Sequence, residues 1–231
     1  MSSPMEPLPD YSARHLQREY AAAYQRKFER SFTRRLSARR EHKLVERALE
    51  AALARVASES PLLLDYPCGA GRFAPLFASR SGSYLAGDHS PHMVDLTCAV
   101  LEEAGLGGKI AGRAVGDARE MDIENQSVDL AACMRLLHHF PDRADRVRIL
   151  TELARVSRGP LVTSFLDGDS FKQRHYARRI ARTGKPSRRV LQSREEFAQE
   201  AKEAGWRVIE SWQLSSLFSG QRVALLDLSL I

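Results

Sequence analysis

An acidic residue followed by a glycine-rich turn is the feature of this sequence that could do chemistry most directly. The apolar run 62–64 ends in Asp65, and the turn Gly69-Ala70-Gly71 begins four residues later. A short apolar run predicts a buried parallel strand, and the apolar residues after the turn recur at helical spacing. Glycines let the backbone approach a ligand closely, and a helix N-terminus offers unpaired N–H groups. The segment therefore predicts a site for a nucleotide-like ligand at the carboxyl edge of a sheet.

Two classes of cofactor suit such a turn. Residues Gly69 to Ala74 fit the dinucleotide fingerprint G-x-G-x-x-G/A. A pyrophosphate there would be repelled by the carboxylate of Asp65, whereas S-adenosylmethionine brings an amino cation and a sulfonium that a carboxylate attracts. The charge of Asp65 therefore favours S-adenosylmethionine, and a nicotinamide-dependent dehydrogenase is the disfavoured alternative.

The segment from Leu62 to Ala74 resembles motif I of the class I S-adenosylmethionine-dependent methyltransferases, in particular bacterial small-molecule enzymes. Later segments follow in the order of that family over about residues 44–231. The resemblance implies an α/β, Rossmann-like fold with a seven-stranded, mostly parallel sheet and helices on both faces. The strands expected after the first include Ser83–Asp88, Ala111–Val115, Val128–Met134, Arg158–Phe165 and a closing strand Gln221–Leu230.

The resemblance also implies which residues contact the cofactor. Asp88 lies 17 residues after Gly71 and would bind the ribose hydroxyls, while Asp117 would accept a hydrogen bond from the adenine amino group. The cofactor contacts expected on this basis are Asp65, Gly69, Ala70, Gly71, Asp88, His89, Met93, Asp117, Ala118, Cys133 and Met134.

Two adjacent histidines are the candidate catalytic residues. The segment Arg135-Leu136-Leu137-His138-His139 resembles the part of the family that lies beside the methyl group. Methyl transfer depends mainly on alignment, and a base matters only for an acceptor atom that is protonated at working pH. Histidine titrates near neutrality, so His139 is the favoured base and His138 the second candidate; packing against the cofactor is the alternative role. We expect Arg135, His138 and His175 to bind substrate, and the spacing of His, Cys and acidic residues predicts no metal site.

Length and composition narrow the class of protein. A chain of 231 residues suffices for one domain, and no apolar run approaches the length of a membrane span. The first residues lack the apolar core of a signal peptide, and the three cysteines show no disulfide or metal pattern. We therefore expect a reduced, cytoplasmic protein.

Positive charge is concentrated in two segments. Residues 11–47 contain eleven Lys or Arg and four acids, and residues 166–192 contain eight and two, in a chain of net charge +6. We expect residues 1–43 to form a basic helical extension or lid, residues 44–231 the methyltransferase domain, and residues 166–192 a basic insertion near the substrate mouth. The alternative is that these charged residues lie on solvent-exposed helix faces and bind no ligand.

The resulting functional hypothesis is methyl transfer to oxygen or nitrogen of a small or lipid-like, anionic metabolite. The basic segments would attract such a substrate. One alternative is an RNA methyltransferase that contacts phosphates through them. Another is a non-catalytic protein that binds S-adenosylmethionine.

Overall fold

The computed structural model describes residues 32–171, 173–174, 182, 189–215 and 219–229. The helices in these ranges are α1 (Phe32–Leu53), α2 (Ala74–Arg80), α3 (Pro91–Glu103), α4 (Arg143–Val156) and α5 (Arg194–Glu203). The strands are β1 (Leu62–Asp65), β2 (Ser83–Asp88), β3 (Ile110–Val115), β4 (Leu130–Cys133), β5 (Leu161–Leu166), β6 (Trp206–Ser215) and β7 (Ser219–Leu228).

The seven strands in the described part of the chain form one sheet, in the order β3-β2-β1-β4-β5-β7-β6. Strands β1 to β5 pair in parallel, and β7 runs antiparallel to both β5 and β6. The prediction of a mostly parallel, Rossmann-like α/β sheet is therefore confirmed. The bounds of β2 agree with the sequence, whereas β4 is shorter than expected and leaves Met134 in the loop beyond its end.

Helices cover both faces of the sheet, because both faces of its central strands are apolar. One core cluster joins α1, α2 and α3 to the sheet and includes Leu49, Phe77 and Val94. The other joins α4 and α5 to the opposite face and includes Leu150 and Phe197. Both faces of the parallel strands are thus buried, as this architecture requires.

Helix α1 runs without interruption across residues 43 and 44, where the sequence predicts the boundary between extension and domain. Val45, Ala48, Leu49 and Ala52 of this helix are buried in the same core as α2 and α3. Residues 1–31 lie outside the described residues, as does most of the expected insertion after Phe171.

A buried ion pair joins α4 to α5. The guanidinium of Arg146 donates to both carboxylate oxygens of Glu200, at 3.1 and 2.6 Å, and the amide of Gln192 donates to the same carboxylate. An exposed pair between Arg143 and Glu203 joins the same two helices. The two pairs differ mainly in burial. Comparing them therefore shows how burial changes the contribution of an ion pair to stability.

We expect Glu200→Ala to lower the free energy of unfolding by about 3–5 kcal/mol, because Arg146 would stay buried without its counter-charge. Urea unfolding followed by circular dichroism measures this loss. The matched control is Glu203→Ala, which removes the exposed pair from the same helix and should leave the unfolding midpoint nearly unchanged. Equal losses in the two variants would contradict the expectation.

Candidate functional site

A cavity opens at the carboxyl ends of β1 and β4. The chain runs outward from β1 to β2 and β3, then returns to β4 on the other side of β1, so the connections diverge between these two strands. Such a switch point leaves a crevice between neighbouring loops. The cavity is lined by Asp65, Tyr66, Pro67, Cys68, Gly69, Ala70, Arg72, Phe73, Asp88, His89, Met93, Asp117, Ala118, Met134, Arg135, Leu136, His138, His139, Phe140 and Arg189.

Asp65 lies at the end of β1 and lines the cavity. Asp65 is only 2% exposed, and its Oδ2 accepts a hydrogen bond of 2.8 Å from the hydroxyl of Tyr84. Burial raises the pKa of Asp65 to about 8, and the negative charge of Asp88 adds to this rise while the Tyr84 hydroxyl opposes it. A cationic ligand group at this position would therefore offset the cost of the buried charge.

Asp88 organises the glycine turn. Its Oδ2 accepts from the backbone N–H of Gly69 and its Oδ1 from that of Ser90, both at 2.9 Å. Burial raises the pKa of Asp88, although these two backbone donors partly counter the effect. The carboxylate thus connects the end of β2 to the turn after β1 and to the start of α3. The sequence predicts a cofactor role for Asp88 but gives no sign of these two contacts.

Gly71 and Cys133 are the two expected cofactor contacts that do not line the cavity. Gly71 has φ +73°, and a Cβ there would come within 3.2 Å of Thr97 Cα and Val100 Cβ on α3. Its lack of a side chain therefore serves the packing of the turn against α3. The Cys133 side chain is buried at the end of β4, and its carbonyl accepts from the Thr163 hydroxyl at 2.8 Å. Burial raises the pKa of its thiol to about 12.

Asp117, His89, Ala118 and Met93 are expected cofactor contacts, and all four line the cavity. Burial raises the pKa of Asp117, but the hydrogen bonds from the side chain and backbone of Arg119 lower it on balance, so this acid is held as a carboxylate. Both ring nitrogens of His89 are buried and have no hydrogen-bond partner among the described residues. Buried polar atoms normally have partners, so a polar ligand is expected here.

The sequence predicts that Arg135 binds substrate but does not predict the cluster of charges to which Arg135 belongs. Glu41 of α1 is 1% exposed, and its carboxylate accepts from Arg135 at 2.8 and 2.9 Å and from Arg72 at 2.5 Å. Arg135 has φ +62°, a conformation unusual for a residue with a side chain, and its N–H donates to Ser164 Oγ. This cluster joins α1 to the loops after β1 and β4. No pattern in the sequence distinguishes Glu41 from the other acids of its segment.

The two histidines lie side by side, with ring centroids 4.1 Å apart. Burial lowers the pKa of His138 to about 2, and the neighbouring charges of His139, Arg189 and Arg135 lower it further. His138 is therefore neutral at working pH and poorly suited to accept a proton, so its expected role as a base is disfavoured by its surroundings. His139 lines the same cavity, whereas His175 lies outside the described residues.

Metal-binding clusters and membrane-spanning helices are both absent from the residues that the structure describes. No cluster of three or more His, Cys, Asp or Glu among them could hold a metal ion. None of the helices they form is both long and apolar enough to cross a membrane.

One family model matches the central part of the chain. Residues 63–159 match the family model described as a methyltransferase domain. No curated protein sequence matches the chain.

Solved structures show a similar fold at low sequence identity. Magnesium protoporphyrin IX methyltransferase from Synechocystis PCC 6803, with bound S-adenosylhomocysteine, has a TM-score of 0.76 and 14% identity, over 96% of this chain and 100% of that one. The same enzyme is also known with bound S-adenosylmethionine. A methyltransferase of the S-adenosylmethionine-dependent type from Methanosarcina mazei has a TM-score of 0.63 and 19% identity, over 76% of this chain and 96% of that one.

The cavity fits S-adenosylmethionine in the chemistry of its lining. Asp65 offers a buried carboxylate for a cationic group, and Asp88 and Asp117 offer acceptors for hydroxyl and amino hydrogens. His89 supplies buried polar atoms that have no partner in the described part of the chain, and Met93 and Ala118 supply apolar surface. The same acids would repel a pyrophosphate.

Replacing Asp88 should weaken cofactor binding. We expect Asp88→Ala to raise the Kd for S-adenosylmethionine about 10- to 100-fold, because a charged acceptor and the support of the turn are both lost. Titration calorimetry measures the Kd. The matched control, Asp95→Ala, removes an exposed acid from α3 that pairs with Arg113 outside the cavity, and should bind like the wild type. An unchanged Kd in Asp88→Ala would contradict the assignment of Asp88.

Cofactor binding should depend on pH through Asp65. Its raised pKa of about 8 means that the carboxyl is mostly protonated at pH 6 in the free protein. A cationic ligand requires the ionised form, so affinity should rise between pH 6 and 8 and binding should release a proton. Calorimetry at pH 7 in buffers of different ionisation enthalpy measures that proton. Asp65→Asn is the control, and proton release of the same size in this variant would exclude Asp65 as the source.

Proposed function

We propose that this chain is a class I S-adenosylmethionine-dependent methyltransferase that transfers a methyl group to oxygen or nitrogen of a small or lipid-like, anionic metabolite. The cofactor supplies an electrophilic methyl group on a sulfonium. The chain's own residues hold the two reactants in line and exclude water, which is the main requirement of this reaction.

The distribution of charge along the cavity is the observation that carries this proposal. Acids lie where the cofactor is expected, whereas Arg72, Arg135 and Arg189 line the cavity together with the histidine pair. Glu41 pairs with two of these arginines, Arg72 and Arg135. Guanidinium groups bind carboxylates and phosphates through paired, charge-assisted hydrogen bonds, which supports an acceptor with such a group.

His139 is the proposed base for an acceptor that carries a proton on the reacting atom. It lines the cavity together with Arg135 and Arg189. Leu136, Met134 and Phe140 supply apolar surface around it. An acceptor with an ionised oxygen would need positioning only, so the two kinds of acceptor predict different effects of changing His139.

The effect of His139→Ala tests the role of this residue. For an acceptor with a hydroxyl or protonated amine, we expect kcat to fall about 10²- to 10⁴-fold while the Kd for S-adenosylmethionine changes little. A labelled-methyl assay gives kcat, and calorimetry gives the Kd. The control is His92→Ala on α3, a residue that does not line the cavity and should retain full turnover. Equal turnover in His139→Ala and wild type would remove the base from the proposal.

Matched acceptors test the proposed substrate class. We propose a screen with pairs of metabolites that differ in one group, a carboxylate or phosphate against its amide or neutral ester. The anionic member should be methylated with the lower KM. Arg189→Gln should raise the KM for that member about tenfold and have less effect on the neutral one, because one charge-assisted hydrogen bond is lost.

Arg194→Gln is the control for this screen, since Arg194 is exposed at the start of α5 and pairs with Asp167 away from the cavity. Its KM values should match those of the wild type. Neutral acceptors that are methylated as well as their anionic counterparts would contradict the proposed substrate class.

An RNA substrate is the second candidate, and one observation favours it. Arg39, Arg40 and Lys43 are exposed on α1, the helix whose Glu41 pairs with two arginines of the cavity. RNA bound through phosphate contacts would lose affinity steeply with added salt. Steep salt dependence together with methylation of RNA would replace the small-molecule proposal. Cofactor binding without turnover on any acceptor would favour a non-catalytic binding protein.

A further inference from the structure

Tyr84 is a buried tyrosine that contacts a residue of the cofactor site. Tyr84 is 0% exposed and lies on β2, opposite Leu63 of the neighbouring strand β1. A buried tyrosine hydroxyl needs a hydrogen-bond partner, and here the partner is Oδ2 of Asp65, at 2.8 Å. Tyr84 itself does not line the cavity, whereas Asp65 does. The tyrosine therefore reaches a cofactor-site residue from the interior of the sheet.

The two oxygens of Asp65 have different surroundings. Oδ2 accepts from Tyr84, while no hydrogen bond to Oδ1 is found in the described part of the chain. A carboxylate has acceptor capacity on both oxygens, so Oδ1 is left for a donor that enters the cavity. The amino cation of the cofactor is a donor of the right charge.

We propose that Tyr84 is a positioning residue for the cofactor's amino group, because its hydroxyl holds Asp65 Oδ2 and so presents Oδ1 to the cavity. This inference rests on the cofactor and not on the acceptor. Failure of the anionic-acceptor proposal would therefore leave it intact.

The charges around Asp65 make the tyrosine important. Within the described ranges, the other titratable groups that interact with Asp65 are Asp88 on β2, Cys68 in the turn after β1 and Cys133 on β4, and none of these is a cation. Tyr84 is thus the group that stabilises the ionised carboxylate before a ligand enters. Without its hydroxyl, the pKa of Asp65 should rise further, and more of the protein would hold a neutral carboxyl at pH 7.

The variant Tyr84→Phe tests the proposal, since it removes the hydroxyl and keeps the ring. We expect the Kd for both S-adenosylmethionine and S-adenosylhomocysteine to rise about tenfold at pH 7, because both ligands carry the amino group. The weakening should shrink toward pH 9, where Asp65 ionises without help. Calorimetric titration across this pH range measures both effects.

Ser81→Ala is the matched control. It removes another buried hydroxyl, one that donates to the Phe77 carbonyl at 2.8 Å just before β2 and outside the cavity. Its Kd values should equal those of the wild type at every pH. A loss of affinity in Tyr84→Phe that is the same at pH 7 and pH 9, or that Ser81→Ala also shows, would mean that Tyr84 has only a structural role and would overturn the proposal.

A double-mutant cycle with Asp65→Asn separates direct from indirect action. If Tyr84 acts through Asp65, the Tyr84→Phe change should have little further effect on the Kd in the Asp65→Asn background. Additive losses would overturn the proposal. Thermal unfolding of each variant checks that it is folded. Should Tyr84→Phe not fold, Asp65→Asn decides alone, since undiminished affinity for S-adenosylmethionine in that variant overturns the proposal and a loss of at least tenfold supports it.

Discussion

The cost of burying the carboxylate of Asp65 is the constraint on which the rest of the site depends. The residue lies at the end of a central strand and interacts mainly with a tyrosine hydroxyl and with other acids. A negative charge in such a place is unfavourable until a positive charge joins it. The free protein is therefore prepared for a cationic ligand, and this distinguishes S-adenosylmethionine from a nucleotide with a pyrophosphate.

The remaining elements position ligands around that carboxylate. Asp88 accepts two backbone hydrogen bonds, one from the glycine turn and one from the start of α3. This acid therefore also fixes the backbone that surrounds the site. Glu41 brings α1 against the loops after β1 and β4 through its pairs with Arg72 and Arg135. Both acids and arginines therefore line the cavity, which supports the proposal of a cationic methyl donor and an anionic acceptor.

The sequence predicts much of this arrangement where a local pattern carries the information. The apolar runs and the acids that end them predict the parallel strands, and the spacing of Asp88 after the glycines predicts its place in the cavity. Contacts between distant segments could not be predicted in this way. Glu41 and Arg135 are far apart in sequence and meet only in the fold, and Gly71 is needed because of Thr97 and Val100 on α3. No sequence pattern marks Tyr84, because its contact with Asp65 depends on the register between β1 and β2.

Parallel calorimetric titrations of the wild-type protein with S-adenosylmethionine, S-adenosylhomocysteine and NADH test the central claim most directly. The three acids that line the cavity, Asp65, Asp88 and Asp117, predict micromolar binding of both adenosyl ligands and no binding of NADH. Binding of NADH alone, or no binding of either adenosyl ligand, would contradict the claim that the buried carboxylate at the end of β1 selects the cofactor.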